Sequence, residues 1–182
     1  MLGPLTSHEI ADLYLNGDHD AAGHKLKRMA ARGKIKRVGF IGTLGRPRLL
    51  YGTWHIRPDR AEHEYAVSLA LLGYRIGEIL RGSHVDQKYR PDAELQLKLH
   101  YMVELDRGTE SITFIQRKRM PLYQSYDGIV LWIAETEVRR EALRHVAAAV
   151  QEISLFATLS DVQKDPFGPI WLAYDGSRKA IE

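Results

Sequence analysis

Cysteine is absent from the 182 residues. The chain therefore has no disulfide framework, no thiolate metal site and no cysteine nucleophile; a bound metal would sit on oxygen or histidine ligands, which favours magnesium-like ions over zinc. No apolar run approaches the roughly 18 residues that span a bilayer. No basic segment followed by an apolar one opens the chain, so neither a membrane segment nor a secretory signal is expected, and the expected location is cytoplasmic. No internal repeat is visible. His55, His63, His84 and His100 are scattered without ligand spacing and read as surface or groove residues.

What is present is an apolar fraction of 45%, ordinary for a globular protein able to bury a core, at a length that fits one medium domain or two small ones. The net charge of +3 hides an asymmetry. Residues 1–60 carry 11 Lys+Arg against 5 Asp+Glu, whereas residues 61–182 carry 15 against 18. A basic amino-terminal part joined to a mildly acidic remainder fits nucleic-acid binding by the first and a different task for the second.

In chain order, Thr6 followed three residues later by Glu9 is a capping box, which predicts a helix running to about Asn16-Gly17 with Ile10, Leu13 and Tyr14 as its buried stripe. Asp18-His19-Asp20 caps a second helix, Ala21–Arg32, expected to bury Ala22, Leu26, Met29 and Ala30 while presenting Lys25, Lys27, Arg28 and Arg32. Gly33 stops it. A strand with Lys34, Lys36 and Arg37, a glycine-rich turn, then Arg46-Pro47-Arg48 and a second strand to Trp54 complete a hairpin with a basic tip. This order of short helix, basic helix and hairpin resembles the winged helix-turn-helix family. A helix studded with Lys and Arg can lie in the major groove, and a hairpin carrying Arg46 and Arg48 can reach phosphates or the minor groove. An ordinary helical domain with a solvated basic face is the simpler explanation; concentration of the charge in helix and wing together favours DNA or RNA.

Pro58-Asp59-Arg60 marks a boundary, giving a winged helix-turn-helix domain over 1–58 and an α/β domain over 59–182. The second part opens with a helix over 61–72 whose first turn carries Glu62 and Glu64, acids that suit a helix amino terminus on electrostatic grounds alone. A strand over 74–80 follows, with Ile76 and Ile79 buried. Ala93-Leu95-Leu97-Leu99 and Tyr101-Val103-Leu105 then alternate like half-buried strands. Glu104 and Asp106, two apart, share a strand face opposite Val103 and Leu105, and Asp92 can join them if the strands pair. A helix from Thr109 towards Tyr126 carries the basic run Arg117-Lys118-Arg119, with Tyr123 and Tyr126 read as packing at its end. Ile129–Ala134 has no alternation and suits a strand buried on both faces. A helix over 136–150, a strand over 153–159 and a short strand or extension at Trp171–Tyr174 complete the chain.

The order αβββαβ, with Pro91-Asp92 on the second strand and an acidic pair on the third, resembles the restriction-endonuclease-like PD-(D/E)xK nuclease superfamily, an α+β arrangement on a mixed central sheet. The whole chain, with Arg90-Pro91-Asp92-Ala93 followed by Glu104-Leu105-Asp106-Arg107-Gly108-Thr109-Glu110, is similar to the replication-relaxation family of plasmids, phages and integrative elements. The resemblance implies a DNA-binding protein of a mobile element with a nuclease-like second domain. It also implies roles: Asp92 and Glu104 match the metal-binding acids, with Mg or Mn as the cofactor if the site is catalytic, and Glu64 matches an additional acid. The lysine expected two residues after Glu104 is replaced by Asp106, which would join Glu64, Asp92 and Glu104 in a ligand set. Lys118, or instead Arg117 or Arg119, could supply the missing cation from the next helix; counted along an α-helix, Lys118 lies on nearly the face of Glu110.

Three readings stand. One is a DNA-binding protein whose nuclease-like domain is a structural or assembly module, working with replication or relaxation proteins of its element. The second is a metal-dependent endonuclease or nickase using Asp92, Glu104 and Lys118. The third is a regulator binding as a homodimer through the α/β domain, since winged-helix binders often read two half-sites. The missing lysine favours the first and third; gathered carboxylates favour the second, because unpaired acids in one place repel unless a cation joins them.

Overall fold

Thr6 is the N-cap of the first helix, α1 (Ser7–Tyr14), and the capping box is complete: the Thr6 hydroxyl and Glu9 carboxylate satisfy each other's backbone N–H groups. The computed structural model describes residues 3–41, 48–53, 55–74, 78–81 and 84–182. These divide into two compact units, Leu2–Leu69 and Ala70–Glu182. Both contain helices and strands, as expected of an α/β chain. Among the described residues no helix is long and apolar enough to cross a membrane.

In the first unit α1 is followed by α2 (His19–Ala31), capped by Asp18, whose carboxylate accepts from Ala21 N–H. Ala22 and Leu26, four apart, are its buried positions, with Met29 and Ala30 only half-buried. An antiparallel hairpin of β1 (Lys36–Ile41) and β2 (Arg48–Gly52) follows, and Leu5 adds a bridge to Tyr51 on the other edge of β2. Leu50, Ile56 and Ala61 form its core, with Val38, Ile41 and Tyr65 against them. The expected stripe on α1 is corrected here: Ala11 is its buried residue, and Tyr14 is 65% exposed. The reason is that Ile10 and Tyr14 line an open groove of about 370 Å³ with Leu26, Met29 and Ile35, rather than a sealed core. The hairpin turn, including Arg46, and Trp54 and Ile76 lie outside the described residues.

From α3 (Ala61–Leu71), whose greater part belongs to the first unit, the chain enters a seven-stranded mixed sheet. β3 (Glu78–Arg81), β4 (Ala93–Gln96) and β5 (His100–Asp106) form an antiparallel meander; β5, β6 (Ile129–Ala134) and β7 (Ser154–Thr158) are parallel; β8 (Trp171–Leu172) and β9 (Arg178–Lys179) return antiparallel. β6 lies at the centre between two parallel neighbours, and its uninterrupted apolar run is buried from Val130 to Ala134. β4 ends earlier than the alternation suggested, because Leu97 N–H turns back to the Leu99 carbonyl; Leu99 is accordingly 52% exposed.

The parallel connection from β5 to β6 is helical but irregular: α4 (Ile112–Phe114), then a π turn over Ile115–Arg119, then a 3₁₀ turn over Met120–Tyr123. The connection from β6 to β7 is α5 (Glu137–Val146), capped by Thr136, with a 3₁₀ extension to Ile153. Both pack on the sheet face that carries Met102, Trp132 and Phe156, where Tyr123, Leu143 and Val150 complete the main core. A short helix not expected from the sequence, α6 (Leu159–Lys164), follows β7; its cap, Thr158 accepting from Asp161 N–H, has the same hydroxyl-to-acid spacing as α1.

Candidate functional site

Two groups of charged side chains stand out, one in each unit, and they are built on opposite principles. On α2 the burial of Ala22 and Leu26 turns Lys25, Lys27 and Arg28 to solvent. Arg32 and Lys34 follow in the exposed turn. On β1 the pairing with β2 slips by one residue between Arg37 and Gly39, a bulge that interrupts alternation and leaves Lys36 and Arg37 both exposed. Arg48 opens β2 and is exposed too. None of these eight cations forms an ion pair with a described residue. Three acids of this unit are engaged elsewhere: Glu9 and Asp18 serve as caps, and Asp59 pairs with Arg57 at 2.8 Å. Positive charge therefore remains unbalanced along α2 and the hairpin.

In the second unit the acids named from the sequence take distinct places. Arg90, with φ +52°, and Pro91 lead into Asp92, whose N–H donates to the Val103 carbonyl and whose Oδ2 accepts from Leu105 N–H at 2.9 Å. That ties Asp92 beside β5. Glu104, buried, accepts from Arg119 Nη2 at 2.5 Å on Oε2 and from the Tyr123 hydroxyl on Oε1. Asp106, on the same strand face, accepts from Arg139 Nε at 2.6 Å and Nη2 at 3.2 Å, and from Gly108 N–H at 2.8 Å. Arg139 also donates to the Glu110 carbonyl, fixing the chain after β5. The structure brings Asp92 and Glu104 together but gives Glu104 and Asp106 separate arginines. Glu64 belongs to α3 in the first unit, 3.9 Å from Arg60. Among the described residues no three His, Asp or Glu side chains are placed to hold one metal ion.

Lys118 is exposed, and the cation that reaches Glu104 is its neighbour Arg119. The π turn explains the difference. Met120 N–H bonds to the Ile115 carbonyl, five residues back, and Ile115 and Met120 are both buried. An α-helical count assumes bonds four residues back; the wider turn delays the inward face by one position.

The electrostatics follow from burial. Desolvation, with the Asp92 charge second, raises the Glu104 carboxyl above the usual carboxylate range, against the pull of Arg119 and Tyr123. Burial works to lower Arg119, yet Glu104 and Asp92 outweigh it and hold the guanidinium above its ordinary value. Donors occupy both Glu104 oxygens, a geometry that serves the anion, so we assign the ion pair. Tyr123 is held protonated by its burial and by Glu104.

Two further participants were not singled out from sequence. Arg139 has no signal in its local pattern. Glu94, buried on β4, lies 2.9 Å from His100 Nε2 and accepts from Asp86 N–H, so His100 is partnered rather than a free surface residue. Alternation on β4, where Glu94 pairs across from Met102, would have placed that acid on the helix-covered face. No protein-family model matches the chain, and comparison with curated proteins and with solved structures gave no match.

Proposed function

We propose that this is a DNA-binding protein of a mobile genetic element. It engages double-stranded DNA through a winged helix-turn-helix made of α1, α2 and the β1–β2 hairpin, and carries a nuclease-like second unit as a structural or assembly module. The observation that carries the reading is the set of eight exposed cations from Lys25 to Arg48 on consecutive elements, none with an ion-pair partner among the described residues. Phosphate contacts from such residues supply sequence-independent affinity and fix register on the duplex. α2 is long enough, at 13 residues, to lie along a groove, and burial of Ala22 and Leu26 leaves Lys25, Lys27 and Arg28 exposed on it. The link to a mobile element rests on the similarity of Arg90-Pro91-Asp92-Ala93 and the Glu104–Glu110 stretch to the replication-relaxation family.

Titrating a fluorescent duplex with the full chain tests the proposal. Joint substitution of Lys25, Lys27, Arg28 and Arg48 by alanine is expected to abolish the anisotropy rise at concentrations where the native chain saturates. Equal affinity in the variant would end the assignment of this face.

Cleavage is the second reading, supported by Asp92 standing beside Glu104. In the present arrangement the two acids do not fit a magnesium ion, since Arg119 and Tyr123 occupy both Glu104 oxygens. Nicking of supercoiled plasmid in magnesium or manganese that disappears in both Asp92→Ala and Glu104→Ala would establish it over the module reading.

A further inference from the structure

The helical layer over the main core of the second unit has an outer surface that the fold leaves uncovered. Its inward side is occupied: Ile115, Met120 and Tyr123 from the segment between β5 and β6, and Leu143, Ala147 and Val150 from the segment between β6 and β7, belong to the core with Trp132 and Phe156. α4 packs beside α5, and Arg139 of α5 donates to the Glu110 carbonyl just ahead of α4, so the two segments form one layer. Six large hydrophobic side chains are exposed among the described residues, and three belong to this layer: Phe114 and Leu122, each 44% exposed, and Val138, 82% exposed.

Charge divides the same layer in two. Between Phe114 and Leu122, the π turn exposes Arg117 and Lys118, while their neighbour Arg119 turns in to Glu104. Around Val138, at the start of α5, Glu135 and Glu137 are exposed. None of these four charges has an ion-pair partner among the described residues. α5 itself shows the alternative, since Arg140 and Arg144 both pair with Glu141. An acid in a first helical turn suits the helix amino terminus. That accounts for Glu137 but not for Val138, the most exposed of the six hydrophobic side chains.

An apolar and basic half beside an apolar and acidic half is complementary to a second copy of itself turned by a two-fold rotation. In such a pair every contact from residue i to residue j is returned from j to i. A polyanion fits the basic half and is repelled by the acidic one. An apolar partner would bury all four charges unpaired, which is costly. A second copy satisfies both halves: apolar burial supplies attraction, and the charges fix the register by disfavouring any arrangement that sets like against like. With three large apolar side chains from each copy, the contact belongs to the small, salt-sensitive class.

We propose that the chain forms a two-fold dimer through this layer, with Arg117 and Lys118 of each copy set against Glu135 and Glu137 of the partner subunit and with Phe114, Leu122 and Val138 buried between them. The inference does not rest on DNA binding by the first unit, and its test involves no DNA.

Sedimentation velocity of the full chain, over a concentration series reaching hundreds of micromolar and at low and high salt, tests it. The native chain is expected to show a monomer–dimer equilibrium whose dimer fraction falls as salt rises. Val138→Lys should be monomeric where the native chain is mostly dimer. Reversing one half, by Arg117→Glu with Lys118→Glu or by Glu135→Lys with Glu137→Lys, should weaken the dimer about tenfold or more, because like charges then face one another. Combining all four substitutions should restore it, since the reversed charges match again across the axis. All five positions are exposed, so circular dichroism should match that of the native chain; if Val138→Lys fails to fold, the charge reversals decide alone. A native chain that stays monomeric throughout the series overturns the proposal, as does a dimer that neither reversal weakens, or a fourfold variant no tighter than the weaker of the two reversals.

Discussion

The two units hold positive charge in opposite ways. In the first, Lys25, Lys27, Arg28, Lys36 and Arg37 stand exposed on a helix and a strand with no acid beside them. In the second, Arg119 and Arg139 are drawn in against Glu104 and Asp106, and Arg144 pairs with Glu141 at 2.7 Å while reaching the Tyr174 carbonyl. The same side-chain types are offered to solvent along α2 and the hairpin, whereas Arg119, Arg139 and Arg144 of the second unit are spent on internal partners. Exposed single charges contribute little to stability and much to the attraction of a polyanion. Inward pairs do the reverse, because leaving one partner buried and alone is costly.

Substitutions can break or sharpen this contrast. The largest effect on stability is expected in the centre of the second unit. Trp132→Ala removes a buried ring that packs edge-on to Tyr123 and donates to Ser154; it should cost about 3–5 kcal/mol in denaturant unfolding. Arg119→Ala comes next, at about 2–4 kcal/mol, somewhat below the cost of breaking a fully buried pair because Arg119 keeps part of its surface in water; replacing Arg119 and Glu104 together by Met and Gln should cost less than Arg119→Ala alone. In the first unit Thr6→Ala opens the capping box and should cost about 1 kcal/mol.

A pH effect of the first unit follows from Glu9. Burial alone would raise its carboxyl, but hydrogen bonds from Thr6 and Tyr65 outweigh burial and hold it below its ordinary 4.5. A depressed carboxyl contributes its stability in full above that value and loses it as pH falls through the folded-state value. Acid titration of unfolding should therefore be shallower below about pH 4.5 in Glu9→Gln than in the native chain. Smallest of all on stability, within about 0.5 kcal/mol, should be the joint substitution of Lys25, Lys27 and Arg28. A large loss of stability there would mean that these cations hold the fold together, and the contrast between the units would fail.

Much of this was legible in the chain. Thr6 and Glu9 announced α1, the continuous apolar run from Ile129 announced the central strand, and the two-residue spacing of Glu104 and Asp106 placed both on one face. What was not legible depended on partners distant in sequence. Nothing near Asp106 predicts Arg139, and nothing in the run Arg117-Lys118-Arg119 says which residue turns inward, since that depends on a π turn whose buried anchors, Ile115 and Met120, are recognisable only once the sheet is in place. Leu99 misled for a similar reason: alternation continued past the end of β4 into a turn. The hydroxyl-to-acid spacing of Thr158 and Asp161 was available as a helix start and marks α6.

If the first unit's exposed cations serve to meet a polyanion, the salt dependence of duplex binding reports it. For the native chain, log K should fall linearly with log salt concentration, with a slope of about −0.9 for every phosphate neutralised. Replacing Lys25, Lys27, Arg28, Arg46 and Arg48 should flatten that slope by about one unit for each phosphate that is no longer neutralised. An unchanged slope would mean that these side chains do not meet phosphate.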